Sequence, residues 1–221
     1  MEIDVQALSL KDAYKLMTGL IAPRPIAMVS TQSAEGLAHI APYSFFSGVG
    51  ANPPALLFCP SNDSDGGEKD SLRNAKPKAE GGQGVFAVNL AVEHYAREVA
   101  GCAEEAPYGQ SEFELTQLQA VACQSIDAPR LAQSPAGFEC ETLQVIRLAE
   151  HQPSGANIVI GKVRHIWIED TLLDSKRMHI DHAKLQHIGR LGGTGYCSTR
   201  DQFELPRGLA ALQLPSPFTT E

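Results

Sequence analysis

The sequence predicts a mainly β fold, a small barrel with peripheral α-helices. Three observations lead there. Short apolar or alternating runs outnumber helical patterns along the 221 residues. Turn residues punctuate those runs often. Helices do not alternate regularly with strands, as a doubly wound parallel sheet would require. A chain of 221 residues fits one domain and buries about 70% of its unfolded surface, so no staples are needed.

In chain order, "SLKDAYKLMTGL" places Ser9 as an N-cap and Ala13, Leu16, Met17 and Leu20 at helical spacing, with Gly19 as the expected end. "APRP" follows and breaks the helix, because a residue before proline is pushed toward extended backbone. "IAMVST" reads as a buried strand and "SAEG" as a turn. "LAHIAPYSFFSGV" reads as a second strand interrupted at Pro42, which implies an edge or a bulge. "PALLFCPS" is a third strand. Residues 61–84 form a polar, glycine-rich loop holding one short helix from about Asp70 to Ala75. "VFAVNLA" is a fourth strand, and "VEHYAREVAGCAEEA" an amphipathic helix with Tyr95, Val99 and Cys102 on one face. "GFECETLQVIRLAE" and "ANIVIGKVRHIWIED" alternate strand-fashion around the turn "HQPSG". "HIDHAKLQHIGRLGG" reads as a helix capped by glycine. The expected domain spans 1–205, followed by a loosely ordered Pro-rich tail over 206–221.

Composition narrows the function. The net charge of −8 argues against wholesale nucleic-acid binding. The five cysteines (Cys59, Cys102, Cys123, Cys140 and Cys197) are scattered and form no C-x-x-C, so they read as small buried hydrophobes in a reducing cytosol. The N-terminal stretch has acids and no apolar segment of the secretory kind, and no apolar run approaches the roughly 20 residues of a membrane span. A cytoplasmic protein with no membrane or nucleic-acid partner is expected.

Several chemistries lack their motifs. There is no G-x-x-x-x-G-K-[ST], no H-E-x-x-H and no G-x-S-x-G, and "GGTGYCS" follows an expected helix and lacks a third glycine. His179, His182 and His187 do not share one helical face, so they read as solvated or hydrogen-bonded histidines and no metal is expected. No catalytic nucleophile or base stands out. A site that moves hydride through a bound cofactor needs none, since the cofactor carries the chemistry.

Three segments suit such a cofactor. "EKDSLRNAKPK" gathers Lys69, Arg73, Lys76 and Lys78 in an acidic protein. The start of its helix favours an anion, and the cations would add charge-assisted hydrogen bonds to a phosphate. Alone, it reads more readily as an ordinary solvated helix. "VST" over residues 29–31 ends a strand with two hydroxyls, which also suits turn chemistry. Tyr43, Phe45 and Phe46 are core or a flat apolar wall; alternation sends Tyr43 and Phe45 to one face and Ser44 and Phe46 to the other. Together these segments offer hydroxyls, cations and a flat wall, which are the requirements of a flavin mononucleotide (FMN).

Six stretches, in order from about residue 20 to 205, resemble the flavin reductase-like family, and within it the flavoredoxin branch: "PRPIAMVST", "APYSFF", "NPPALLF", "KDSLRN", "VFAVNL" and "GRLGGTGYCSTRDQFEL". The resemblance implies a Greek-key-like, FMN-binding split β-barrel, assembled as a homodimer with FMN near the subunit interface. It implies that Ser30 and Thr31 line the flavin and its ribityl chain. Ala41, Tyr43, Ser44 and Phe46 would contact ring edge and ribityl, and Lys69, Ser71, Arg73 and Asn74 would hold the phosphate or nearby oxygens, with Arg24 a further contact. "RLGGTGY" would approach the neighbouring subunit's flavin. The implied activity is hydride transfer from NADH or NADPH to FMN, with electrons passed to a downstream acceptor such as a redox protein. A non-enzymatic, flavodoxin-like electron carrier and a barrel that binds no flavin are the alternatives. His39 stands where the family often has asparagine, and "KDS" replaces "KDT".

Overall fold

The computed structural model describes residues 1–107 and 109–218, with 35% of these in strands and 23% in helices. Fourteen strands occur among the described residues: β1 Arg24–Pro25, β2 Ala27–Gln32, β3 Ala38–Tyr43, β4 Phe46–Ala51, β5 Pro54–Phe58, β6 Val85–Leu90, β7 Ala120–Ala122, β8 Pro129–Leu131, β9 Ala136–Arg147, β10 Asn157–Ile168, β11 Leu173–Asp174, β12 His179–Ile180, β13 Ile188–Arg190 and β14 Tyr196–Ser198. The helices are α1 Leu10–Leu20, α2 Asp70–Ala75, α3 Ala96–Gly101, α4 Glu112–Thr116 and α5 His182–Leu185.

Seven strands form one antiparallel sheet in the order β3-β2-β6-β9-β10-β5-β4. Its edge strands, β3 and β4, are separated in the chain by Ser44 and Phe45 alone. Two residues cannot span a flat seven-stranded sheet, whose neighbouring strands lie about 4.8 Å apart. The sheet must therefore curl until its edges meet at that corner, giving the split barrel. Register shifts at Ile160/Gly161 and Val163/His165 bend the 12-residue β10 against β9 and help the sheet coil. The edge of β3 is covered by α4: the Ser111 hydroxyl donates to the Ala38 carbonyl, and the Ile40 N–H donates to Glu112 Oε2 at 3.1 Å. This cap blocks pairing of the open edge.

Two cores result from the period-2 alternation of strands buried on both faces. Ala27 and Val29 of β2 face a core with Leu56, Phe58, Leu72, Phe86, Val88, Cys140 and Val159. Met28, between them, faces the second core with Ile40, Tyr95, Val99, Phe113 and Leu131. Each fully buried large side chain contributes about 1.5–3 kcal/mol. Asn89 ties the layers together: its amide donates to the Met28 carbonyl and the Ser30 hydroxyl, and its oxygen accepts from the Leu131 N–H.

Several local expectations change. Helix α1 continues through Gly19 to Leu20, and its apolar stripe faces solvent: only Thr18 is buried, while Leu20 is 83% exposed. Strand β3 runs unbroken through Pro42 because it lies at the sheet edge, where a missing N–H is tolerated. The break falls instead at Ser44–Phe45, and the turn there ends the alternation. Tyr43 and Phe46 both pack on the core of Phe58, whereas Phe45 sends its ring to Tyr14. The helix expected over "HIDHAKLQHIGRLGG" is only the four residues of α5; the chain then enters β13, which pairs with β1 and β14. The helix expected from Val92 ends at Gly101, but Tyr95, Val99 and Cys102 are buried together as its pattern predicts. The tail forms a 3-10 turn over Gly208–Gln213 with no buried residue, and its last three residues lie outside the described residues. Among the described residues no helix is long and apolar enough to cross a membrane.

Candidate functional site

An open cleft of about 260 Å³ lies between the C-terminal half of β3, the start of α2 and the loop after α3. Its lining includes Ala41, Pro42 and Tyr43 from β3 and Lys69, Asp70, Ser71 and Arg73 from α2. Residues 102–106 and Glu112 form the facing wall. The segment before α2 is polar and folds on itself: Asp63 Oδ1 accepts the Asp65 and Gly67 N–H groups. Helix α2 is then pinned by burial of Ser71, Leu72, Asn74 and Ala75 over β2. At six residues it carries little dipole, so its side chains supply the charge.

Five of the eleven residues singled out in the sequence meet in this cleft: Ala41, Tyr43, Lys69, Ser71 and Arg73. The other six have side chains engaged elsewhere. Arg24 is buried, and its guanidinium donates to the carbonyls of Thr18, Ile21 and Leu191 and to the Ser44 hydroxyl, clamping α1 to the barrel corner. Ser44 is thereby used as Arg24's acceptor. The buried Ser30 hydroxyl donates to the Pro129 carbonyl at 2.7 Å, on the opposite face of β2 from Thr31. Thr31 accepts a hydrogen bond from Asn74 at 3.1 Å, an interior tie between β2 and α2. Phe46 packs against the Phe58 core.

The electrostatics differ from the cationic patch read in the sequence. Every cation of the cleft has a carboxylate of its own. Lys69 Nζ lies 2.8 Å from Glu105 Oε1, and Arg73 donates to Asp70 Oδ1 and to the Glu68 carbonyl. Just outside, Lys76 pairs with Glu68 at 2.6 Å, and Arg147 bridges Glu68 and Glu80. Burial works to raise the Glu68 carboxyl, but hydrogen bonds from Lys76 and Arg147 outweigh it and hold it below the usual value. The cleft lining thus holds two cations, Lys69 and Arg73, against six carboxylates: Asp63, Glu68, Asp70, Glu104, Glu105 and Glu112. Glu105 and Glu112 were missed because they lie 30 and 37 residues beyond the end of α2 at Ala75. The acid-rich run "CAEEAPYGQSEFE" was their one sequence signal.

Tyr43 sits at the floor. Its ring packs tilted on Phe58 with centroids 5.1 Å apart, and Ser71 is its hydroxyl's partner. Burial pushes the phenol up to about 12, and the charges of Glu112 and Asp70 add to that, against the Ser71 hydrogen bond. The phenol is therefore a neutral donor at physiological pH. Cys102, in the facing wall, is pushed to about 11 by burial, so it is no thiolate nucleophile. Behind the wall, His39 is buried with Nδ1 3.5 Å from Glu112 Oε2 and 3.6 Å from Asp70 Oδ2. Neither ring nitrogen has a hydrogen-bond partner. Among the described residues no group of His, Cys, Asp and Glu is arranged to hold a metal ion.

The lining combines an acidic excess with donors and an apolar rim. Lys69 and Arg73 are donors held by exchangeable pairs, Ser71 and Tyr43 add hydroxyls, and Ala41 and Pro42 give an apolar rim.

Comparison with known proteins agrees with this architecture. The structure of nitrilotriacetate monooxygenase component B from Bacillus cereus superposes with a TM-score of 0.84 at 32% identity, covering 93% of this chain and 98% of that one. The 2-nitrobenzoate 2-nitroreductase NbaA of Pseudomonas fluorescens gives 0.83 at 29% identity, over 98% and 100%. Flavoredoxin of Desulfovibrio vulgaris shares the fold, with a TM-score of 0.70 at 17% identity over 96% and 99%. Residues 19–185 match the flavin reductase like domain, a span that contains the curled sheet, α2 and both walls of the cleft. By fold and by sequence, the chain belongs to the flavin reductase-like family of oxidoreductases with a split-barrel fold.

Proposed function

We propose that this protein is an FMN-dependent oxidoreductase that accepts hydride from NADH or NADPH and passes electrons to a further acceptor. The observation that carries the reading is the convergence of β3 and α2 on one cleft in a chain of this family. Lys69, Arg73 and Ser71 would hold the phosphate, the cations exchanging Glu105 and Asp70 for it. The neutral Tyr43 phenol would donate to a ligand oxygen, and Ala41 and Pro42 would border the ring. Bound flavin supplies two-electron chemistry, so the protein needs no nucleophile of its own. Its task is to bind, orient and leave one side of the ring open. Thr31 and Asn74 support that task by fixing α2 on β2. Arg24 and Ser44 do so by fixing the corner between β3 and β4. Ser30 and Phe46 would act through the backbone and packing around the same strands.

The names of two similar structures, a monooxygenase component and a nitroreductase, support an oxidoreductase that delivers electrons onward. A homodimer is part of the proposal. Leu10, Tyr14, Met17 and Leu20 of α1, Val49 of β4, and Leu209 and Leu212 of the tail are all exposed. So much outward apolar surface favours a second copy.

The test is the visible spectrum of the purified protein, then anaerobic titration with NADH and with NADPH. Flavin absorbance that bleaches with either nicotinamide supports the reading. Flavin that is reduced by dithionite but by neither nicotinamide makes the protein an electron carrier. Lys69→Ala/Arg73→Ala should weaken FMN binding by about 2–5 kcal/mol; unchanged affinity would remove the phosphate from this cleft.

A further inference from the structure

The cleft poses an electrostatic problem for the ligand proposed above. A phosphate dianion would enter a lining with six carboxylates and two cations. Each cation that turns toward the phosphate abandons a carboxylate: Lys69 leaves Glu105, and Arg73 leaves Asp70. Glu105 is 71% exposed and is resolvated by water, but Asp70 is mostly buried and is not. An uncompensated buried carboxylate is strongly unfavourable.

One group stands where the compensation is needed. His39 is 1% exposed. Its Nδ1 faces two carboxylate oxygens at nearly equal distance, 3.5 Å to Glu112 from α4 and 3.6 Å to Asp70 from α2. Both ring nitrogens are without a hydrogen bond, an arrangement native interiors avoid unless a further charge or partner completes it. Around it, α2 contributes Asp70 and, through Asp70, Arg73, while α4 contributes Glu112. Its own strand adds the neutral Tyr43, and the facing residue on β2 is the uncharged Thr31. Glu112 is itself fixed by the Ile40 N–H. No cation other than Arg73 appears in this set. A buried carboxylate that loses its cation favours an imidazolium beside it, and a further negative charge nearby favours it more.

We propose that His39 is the reserve cation of the cleft: when a phosphate-bearing ligand draws Arg73 from Asp70, His39 takes up a proton from solvent and holds Asp70 and Glu112. Ligand binding is then coupled to proton uptake. The inference rests on the FMN reading only in taking FMN as the phosphate ligand.

The experiment measures affinity for FMN and for riboflavin, which lacks the phosphate, from about pH 6 to pH 9 in wild-type protein and His39→Asn. Titration of the ligand phosphate is common to both proteins and cancels in the ratio of their affinities. The wild-type to H39N affinity ratio for FMN should fall with rising pH, by up to about tenfold per pH unit where one proton is linked. The ratio for riboflavin should stay flat. Calorimetry in two buffers of different ionisation enthalpy should show more proton uptake with FMN in the wild type than in H39N. Glu112→Gln, which keeps an acceptor for the Ile40 N–H and retains His39, should move the uptake to lower pH. An FMN ratio that is constant with pH, or uptake undiminished in H39N, overturns the proposal. If H39N does not fold, Glu112→Gln decides: an unshifted profile overturns it. Wild-type protein that binds neither flavin defeats the proposed function instead.

Discussion

Replacing Glu105 by glutamine should strengthen FMN binding, although it removes a contact. Glu105 Oε1 lies 2.8 Å from Lys69 Nζ. A phosphate that uses Lys69 must first break that pair. Glu105 is 71% exposed and Lys69 31%, so the pair belongs to the weak, solvent-screened class and contributes about 0.2–1 kcal/mol. Removing the competitor returns that energy to the ligand, an affinity gain of about 1.4- to 5-fold. Lys69→Ala loses a charge-assisted hydrogen bond, about 1.5–3 kcal/mol, and weakens binding. In the Lys69→Ala background the gain from Glu105→Gln should disappear, because both mutations act on one interaction. The assay is quenching of flavin fluorescence across the four proteins, at about 50 and 500 mM salt, where screening should shrink the gain. A gain of equal size with and without Lys69 would mean that Glu105 acts only as a remote charge. A loss of affinity would mean that Glu105 helps hold the ligand. Either result refutes the exchange of carboxylate for phosphate.

Other perturbations follow from particular contacts. Leu20→Glu in α1 puts a charge on an outward apolar stripe, and sedimentation should shift from dimer toward monomer with the circular dichroism unchanged; an unaltered mass would place the interface elsewhere. A Cβ added at Gly137 would lie 2.3 Å from the Val88 carbonyl oxygen and 2.2 Å from the Trp167 ring. Gly137→Ala should therefore cost about 1–3 kcal/mol and lower the melting temperature, and an unchanged melting temperature would show that β9 can shift away. Buried Glu139 accepts the N–H groups of Gln124 and Ser125 and the Ser125 hydroxyl. Burial works to raise its carboxyl, but these hydrogen bonds win and hold it below the ordinary 4.5. A depressed carboxylate stabilises the fold fully above that ordinary value and loses its contribution as pH falls through the depressed one. Urea unfolding should thus show Glu139→Gln least stable relative to wild type near neutrality, with the gap closing in acid; a pH-independent gap would contradict the assignment.

Local patterns carried much of the fold. Short apolar runs placed β2 and β6, alternation placed β9 and β10, and the polar loop's one short helix lies at Asp70–Ala75 as expected. These signals survive because burial on one or both faces acts through period-2 or helical spacing in a single segment. The stretch "HIDHAKLQHIGRLGG" was misread because β13 is made by pairing with β1, about 165 residues earlier, and helical periodicity cannot report a distant partner.

The cleft divides the same way. Residue types alone singled out Tyr43, Lys69 and Arg73, because cations near an apolar wall have limited uses; order along the chain pointed to the family, and that resemblance added Ser71 and Ala41. Only the tertiary structure decided which of these groups meet and what state they are in. It turned Ser30 and Thr31 to opposite faces of one strand, spent Arg24 on backbone carbonyls, and set Glu105, Glu112 and His39 around the cations. Electrostatic environment depends on distance through space, which contiguous sequence does not encode. The curled sheet brings residues 39, 70 and 112 together and sets Glu105 against Lys69, and that proximity makes a cationic run into a carboxylate-lined site.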